Sequence, residues 1–282
     1  MQASEERIEV DGVELALHIA KPGAAEAPRR CLVLCHGFPI APNVAVGDLA
    51  GLADRLAEEA SWQVCSFDFR GTGRSTGDFS VGGWVRDVLN VTAHVLGNGV
   101  GEVWLAGFAE GGAIAICAAA EDERIRGVAA LASPADFSSP EGGLEHLLER
   151  ATALGIVHTP GYPPDPQAWE AEATRMRPLE LIHKLPPRPV LLVHGSDDDV
   201  APLLDARAVS DAAEGHAELR ILTGGSHQLR HDPRAVAVLL GWMERQGGEA
   251  GQEEAGEEDE IGGGKEIGGG NKRGEGGGQT PG

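Results

Sequence analysis

The sequence predicts an α/β protein: a doubly wound, mostly parallel sheet with helices on both faces and a small helical lid. Two observations carry this reading. Short runs, "CLVLCHG", "QVCSFDFRG", "EVWLAGF", "VAALAS" and "PVLLVHG", with "AELRILTG" as a shorter last member, are apolar on both faces, as strands covered on both sides must be. Between them, "GDLAGLADRLAEEA", "GGWVRDVLNVTAHVLG" and "PRAVAVLLGWMERQ" space their apolar residues three and four apart, the period of a helix with one buried face. Strand and helix alternating through short loops wind into a sheet with helices on either side.

The elements follow in order. "RIEVDGVELALHIAKP" alternates apolar and polar residues on both sides of Asp11-Gly12, a dipeptide that accepts the positive φ angles of a tight hairpin turn, so the chain opens with a β-hairpin. The strand and helix rhythm then runs on until Ser133. From there to Pro189, about fifty residues hold two helical patterns, "EGGLEHLLERATALG" and "DPQAWEAEATRM", joined by the proline-rich "HTPGYPPDP". An insertion of this length after a strand reads as a functional lid, placed at about 133–186. The domain therefore spans 1–246. From Gly247 onward the chain has fifteen glycines and almost no apolar side chains, so 247–282 reads as a disordered Gly/Glu-rich tail.

Charge narrows the partners. With 23 basic and 44 acidic residues the net charge is -21, of which nine acids and three bases in the tail account for -6 and the body for -15. Such a chain repels phosphate backbones and anionic lipid, so neither nucleic acid nor membrane is an expected partner. The start, "MQASEERIEVDG", lacks a cationic segment followed by an apolar one, and the protein reads as cytoplasmic. Cys31, Cys35, Cys65 and Cys117 all fall inside apolar stretches and read as buried reduced thiols; Cys31 and Cys35 have no Cys-x-x-Cys or His pair beside them, which argues against zinc.

Chemistry concentrates in four places. "HGFP", His36 to Pro39, follows the first apolar run. "FDFRGTGRSTGDF", Phe67 to Phe79, follows the second. "VWLAGFAEGGAIAICAAA", Val103 to Ala120, contains G-F-A-E-G, which is the G-x-S-x-G nucleophile elbow with alanine in the serine slot. "LLVHGSDDDVAP" and "LTGGSHQLRHDP" supply an acid and a histidine after the last two runs. In these motifs, in this order, the chain resembles the α/β-hydrolase superfamily over roughly Ile8 to Gln246, and within it serine hydrolases of the esterase or serine-aminopeptidase type.

The resemblance assigns roles. Ala109 stands at the nucleophile position, Asp198 at the triad acid with Asp197 and Asp199 beside it, and His227 at the base, with His231 a weaker candidate. The backbone N–H groups of Phe38 and Glu110 would form the oxyanion hole, where fixed donors meet the negative charge of a tetrahedral intermediate. At Glu110 only the backbone is required. "GRSTG", Gly73 to Gly77, also satisfies G-x-S-x-G around Ser75, but five residues separate Ser75 from Phe69, so it lacks the strand-turn-helix setting of an elbow.

The resemblance implies hydrolysis of carboxylic esters, thioesters or small amides by acyl transfer, but alanine cannot attack a carbonyl. Loss of the nucleophile alone leaves such a site about 10³ to 10⁴ above water. Ala109 admits three readings: a relative that binds a small ligand or partner without turnover, a serine replaced by alanine, or a hydrolase in which His227 acts on water. The partner expected is a small acyl substrate or ligand, with Trp169, Tyr162 and Leu147 of the lid as candidates to line its pocket. No metal, nucleotide or flavin motif is present: there is no Walker sequence, and Gly107, Gly111 and Gly112 fit an elbow better than a phosphate cradle.

Overall fold

In the computed structural model the described residues are 1–23, 29–41, 49–138 and 143–261, with only the backbone course given for 248–261. Eight strands form one sheet: β1 (Gln2–Val10), β2 (Val13–Lys21), β3 (Arg30–Cys35), β4 (Gln63–Phe67), β5 (Glu102–Phe108), β6 (Ile125–Leu131), β7 (Val190–Gly195) and β8 (Ala217–Leu222). Their order across the sheet is β1-β2-β4-β3-β5-β6-β7-β8. The opening hairpin pairs β1 with β2 antiparallel, with Val10 opposite Val13. Asp11 and Gly12 in its turn have φ of 50° and 77°, as the Asp-Gly pair predicts. β2 joins β4 antiparallel, and every pairing from β4 through β8 is parallel.

The double-sided apolar runs resolve into two cores. Cys31, Val33 and Cys35 of β3 and Val103 and Leu105 of β5 face one layer, with α2 (Val81–Gly97) and α3 (Glu110–Glu121). Leu32, Leu34, Trp104 and Ala106 face the other, covered by α1 (Leu49–Ala60) and the first turns of the C-terminal helix. Neighbouring residues thus alternate between layers with the period of two that a strand imposes. Helix starts follow local chemistry: the Ser80 side chain accepts from the N–H of Gly83 to open α2, a hydroxyl satisfying one of the donors that a first turn leaves unpaired.

After β6 the chain leaves this rhythm. The insertion contains α4 (Gly143–Ala153), α5 (Pro166–Arg175), the single turn α6 (Pro178–Leu181) and a 3-10 turn over Ile182–Lys184. Asp165 caps α5 by accepting from Ala168 N–H, with proline in the first helical turn, so the Asp-Pro of the proline-rich link marks a helix start. α7 (Leu203–Ala212) connects β7 to β8, and a 3-10 turn over Leu229–His231 precedes α8 (Pro233–Ile261).

The chain divides into two compact units, Met1–Met243 and the segment from Glu244. The α8 backbone stays helical to Ile261, beyond the point at which the sequence reading begins its tail. Glu, Gln and Ala in "EAGQEEAGEEDE" are good helix formers. The rest of the expected tail, 262–282, lies outside the described residues. Among the described residues no helix is long and apolar enough to cross a membrane, and no group of three or more His, Cys, Asp or Glu side chains could hold a metal ion. All four cysteines are free and buried. Burial pushes their thiols up, Cys31 to about 12.

Candidate functional site

Parallel strands deliver their loops to one edge of the sheet, and the chain reverses its winding at β3, which has β4 on one side and β5 on the other. In open α/β sheets ligands bind outside the carboxyl ends of the strands at such a switch point. His36–Phe38 follows β3, Ala109 follows β5, Asp198 follows β7 and His227 follows β8.

Ala109 turns the chain between β5 and α3 with φ 49° and ψ -127°, a conformation that costs a residue bearing a Cβ roughly 1–3 kcal/mol. The turn is closed by Ala109 N–H donating to Leu131 O at 2.9 Å and Gly112 N–H donating to Ala109 O at 3.0 Å. Strand and helix approach too closely here for side chains. A Cβ on Gly107 would lie 2.3 Å from the Gly111 carbonyl oxygen, and one on Gly111 would lie 2.3 Å from that of His36. The elbow is therefore complete as backbone, with a methyl group at its apex.

Asp198 and His227 are brought together. His227 Nδ1 lies 3.0 and 3.1 Å from the two Asp198 carboxylate oxygens. The Asp198 side chain is fully buried and also accepts from the N–H groups of Val200 at 3.0 Å and Ala201 at 2.8 Å. A carboxylate held on several sides fixes the imbibed imidazole's tautomer, so that Nδ1 donates and Nε2 is left as an acceptor. The neighbouring acids do not compete: Asp197 accepts from Ser196 Oγ at 2.6 Å, and Asp199 is exposed. His231 instead accepts from Arg230 Nε at 2.9 Å.

The expected oxyanion donor is in use. Phe38 N–H donates to Glu110 Oε2 at 3.0 Å, and Glu110 Oε1 is paired with Arg150 of α4 at 2.9 Å. The Arg150 guanidinium lies 5.0 Å from the centre of the Phe38 ring, within cation–π range. The sequence reading gave Glu110 a part through its backbone alone. Here its carboxylate, in the first turn of a helix where negative charge is favoured, folds back over the loop after β3. Below it, His36 is buried, and burial pushes its imidazole down to about 4. Its Nε2 accepts from Phe69 N–H at 3.0 Å and its Nδ1 donates to Gly37 O at 2.7 Å, which locks the loop.

Ser75 is tied into the scaffold. Its hydroxyl donates to Asp68 O at 2.6 Å and accepts from Ala16 N–H at 2.9 Å. The same loop is anchored by Arg70, which bonds Asp87 through Nε at 2.9 Å and Nη2 at 2.7 Å. This segment lines no part of the cleft around His227 and brings no nucleophile to it.

The cleft has two lobes that share Ala109, Glu110, Arg150, Val200 and His227. One, of about 260 Å³, reaches Leu147, Phe137 and Asp205. The other, of about 370 Å³, reaches Phe108, Leu154 and Arg230. Of the lid side chains expected at the pocket, Leu147 lines it. Trp169 and Tyr162 do not: Trp169 packs on Phe79 at 6.5 Å between ring centres, because α5 lies over α2 rather than over the elbow. Arg150 and Arg230 were missed. The only sequence signal for either was a basic residue in an acidic chain.

Residues 31–154 match the family model described as alpha/beta hydrolase fold. The chain thus has the α/β-hydrolase fold. Among solved structures it is similar to Est1E from Butyrivibrio proteoclasticus with ferulic acid bound: TM-score 0.65, 20% identity, 85% of this chain and 96% of that one. It is also similar to a putative hydrolase from Agrobacterium vitis S4, with TM-score 0.64, 21% identity and coverage of 86% and 98%. The esterase domain of a Rhodothermus marinus protein has TM-score 0.64, 20% identity and coverage of 87% and 99%. No curated protein matches the chain in sequence.

Proposed function

We propose that the protein holds a small acyl or ester-type ligand in the cleft beneath its helical lid without forming an acyl-enzyme, on a scaffold built for hydrolysis of carboxylic esters, thioesters or small amides. The observation that carries this is the Phe38 N–H donating to the Glu110 carboxylate beside Ala109. Acyl transfer needs a nucleophile and an unoccupied donor for the developing oxyanion, and a resident negative charge at that donor opposes a second one. The esterase domain among the structural neighbours and the ferulic acid bound in another support the ligand class. The net charge of -21 supports a small molecule over nucleic acid or a membrane surface, and four buried free thiols support a reducing, cytoplasmic setting.

A second reading rests on the complete Asp198–His227 pair. In it His227 Nε2 takes a proton from water as the water oxygen bonds to the ester carbonyl carbon, and the proton then goes to the departing alkoxide as the C–O bond breaks. Nitrophenyl esters from acetate to octanoate, offered to the protein and to Ala109→Ser, separate the two. Turnover by the Ala109→Ser variant alone is the expected result. Turnover by the unaltered chain that disappears in His227→Ala would replace binding with water-based hydrolysis.

A further inference from the structure

Resting on the binding reading, we infer that the larger lobe selects a small carboxylate with an apolar body, and that Arg230 takes the carboxylate. The lobe encloses about 370 Å³, with walls supplied by Phe38, Ile40, Phe108, Leu154 and Leu229. Its charged groups are unevenly matched. Glu110 and Arg150 satisfy each other at 2.9 Å. Asp199 sits exposed at the rim and forms no ion pair among the described residues.

Arg230 is the remainder. It is half-buried, and among the described residues its side chain forms no ion pair and donates one hydrogen bond, from Nε to the ring of the adjacent His231 at 2.9 Å. An imidazole acceptor satisfies one N–H and leaves the positive charge uncompensated. Loss of water around the guanidinium holds its pKa below the ordinary arginine value, with no carboxylate acting in the other direction. In a chain of net charge -21 a half-desolvated arginine without an acid is costly unless something else supplies the anion.

The guanidinium fork fits a planar carboxylate through two parallel N–H···O bonds, and the apolar walls beside it fit an aryl or short alkyl body. A monoanion balances one free cation. A phosphate dianion would bring a second negative charge toward Glu110 and Asp199. His227 lines the same lobe, so a carboxylate held by Arg230 lies in the same chamber as the acid–base pair.

Calorimetric titration of the full chain with cinnamate and octanoate, each against its methyl ester, tests this. The acids are expected to bind about tenfold more tightly than the esters, since a charge-assisted bidentate pair replaces a neutral contact. Arg230→Gln should remove that preference, so that acid and ester bind equally, and Arg230→Lys should keep part of it. Equal affinity for acid and ester in the unaltered protein, or a preference that survives Arg230→Gln, overturns the inference and leaves the binding reading in place. If neither acid nor ester binds, both fall.

Discussion

At the ends of β7 and β8 the cleft carries an acid–base pair with its hydrogen bonds made, whereas at the ends of β3 and β5 the donor of Phe38 is already taken and the elbow ends in a methyl group. The first side is held by hydrogen bonds and the second by close backbone packing. On the first side the buried Asp198 collects two N–H groups and an imidazole. On the second, Gly107 and Gly111 allow backbone contacts that any side chain would prevent. The frame that positions a reaction and the groups that perform it are therefore separable. Here the acid–base pair lies on one side of the frame and a methyl group on the other.

The sharpest way to break this comparison is to reopen the nucleophile side in stages. Ala109→Ser restores a hydroxyl but leaves the Glu110 carboxylate on Phe38 N–H. Adding Glu110→Met removes that acceptor at similar volume and frees the donor. Because loss of one oxyanion donor costs on the order of 10² to 10³ in kcat, the double variant should turn over nitrophenyl esters about a hundredfold faster than Ala109→Ser alone. Equal rates in the two would mean that the Glu110 carboxylate does not control the hole.

A smaller effect sharpens the other side. Asp198→Ala removes a fully buried carboxylate that accepts from the N–H groups of Val200 and Ala201 and from Nδ1 of His227. Urea denaturation should show a loss of roughly 2–4 kcal/mol, since hydrogen bonds to a charged group contribute about 1.5–3 kcal/mol each. Asp199→Ala, one residue along at an exposed position, should stay within about 0.5 kcal/mol. Similar losses in both would remove the distinction between the two acids.

The two sides also differ in how much of them could be read from the chain. The runs that became β3 to β7 were readable as strands because burial on both faces leaves no alternation to misread, and the Asp11-Gly12 turn followed from its φ requirement; β8, at the sheet edge, has no fully buried residue. Asp198 and His227 could be singled out because each lies in the loop after a strand, in the order along the chain that the resemblance implies. The Glu110 carboxylate and Arg150 were not, since their contact depends on α4 crossing above Phe38, a matter of how the insertion packs and not of any local pattern. Trp169 and Tyr162 went astray for the same reason. A large apolar side chain in a lid can face the cleft or the body, and its spacing alone does not say which.

The smallest effect concerns what the elbow retains without its hydroxyl. Ala109 keeps φ 49° and ψ -127°, a region that favours glycine. An alanine there carries a conformational cost of roughly 1–3 kcal/mol, set against the roughly 0.5–1 kcal/mol by which glycine's greater freedom favours the unfolded chain. Ala109→Gly should therefore stabilise the protein, by about 1 kcal/mol in urea denaturation, at a position where a nucleophilic serine would have to bear the same strain. Gly111→Ala should do the reverse, because its Cβ would meet the His36 carbonyl oxygen at 2.3 Å. Stabilisation by Ala109→Gly would show that the surrounding backbone holds the bend independently of the residue at its apex. A loss of stability would instead mean that the methyl group's own contacts hold the elbow, and that the nucleophile side is maintained by packing at position 109 as well as by its glycines.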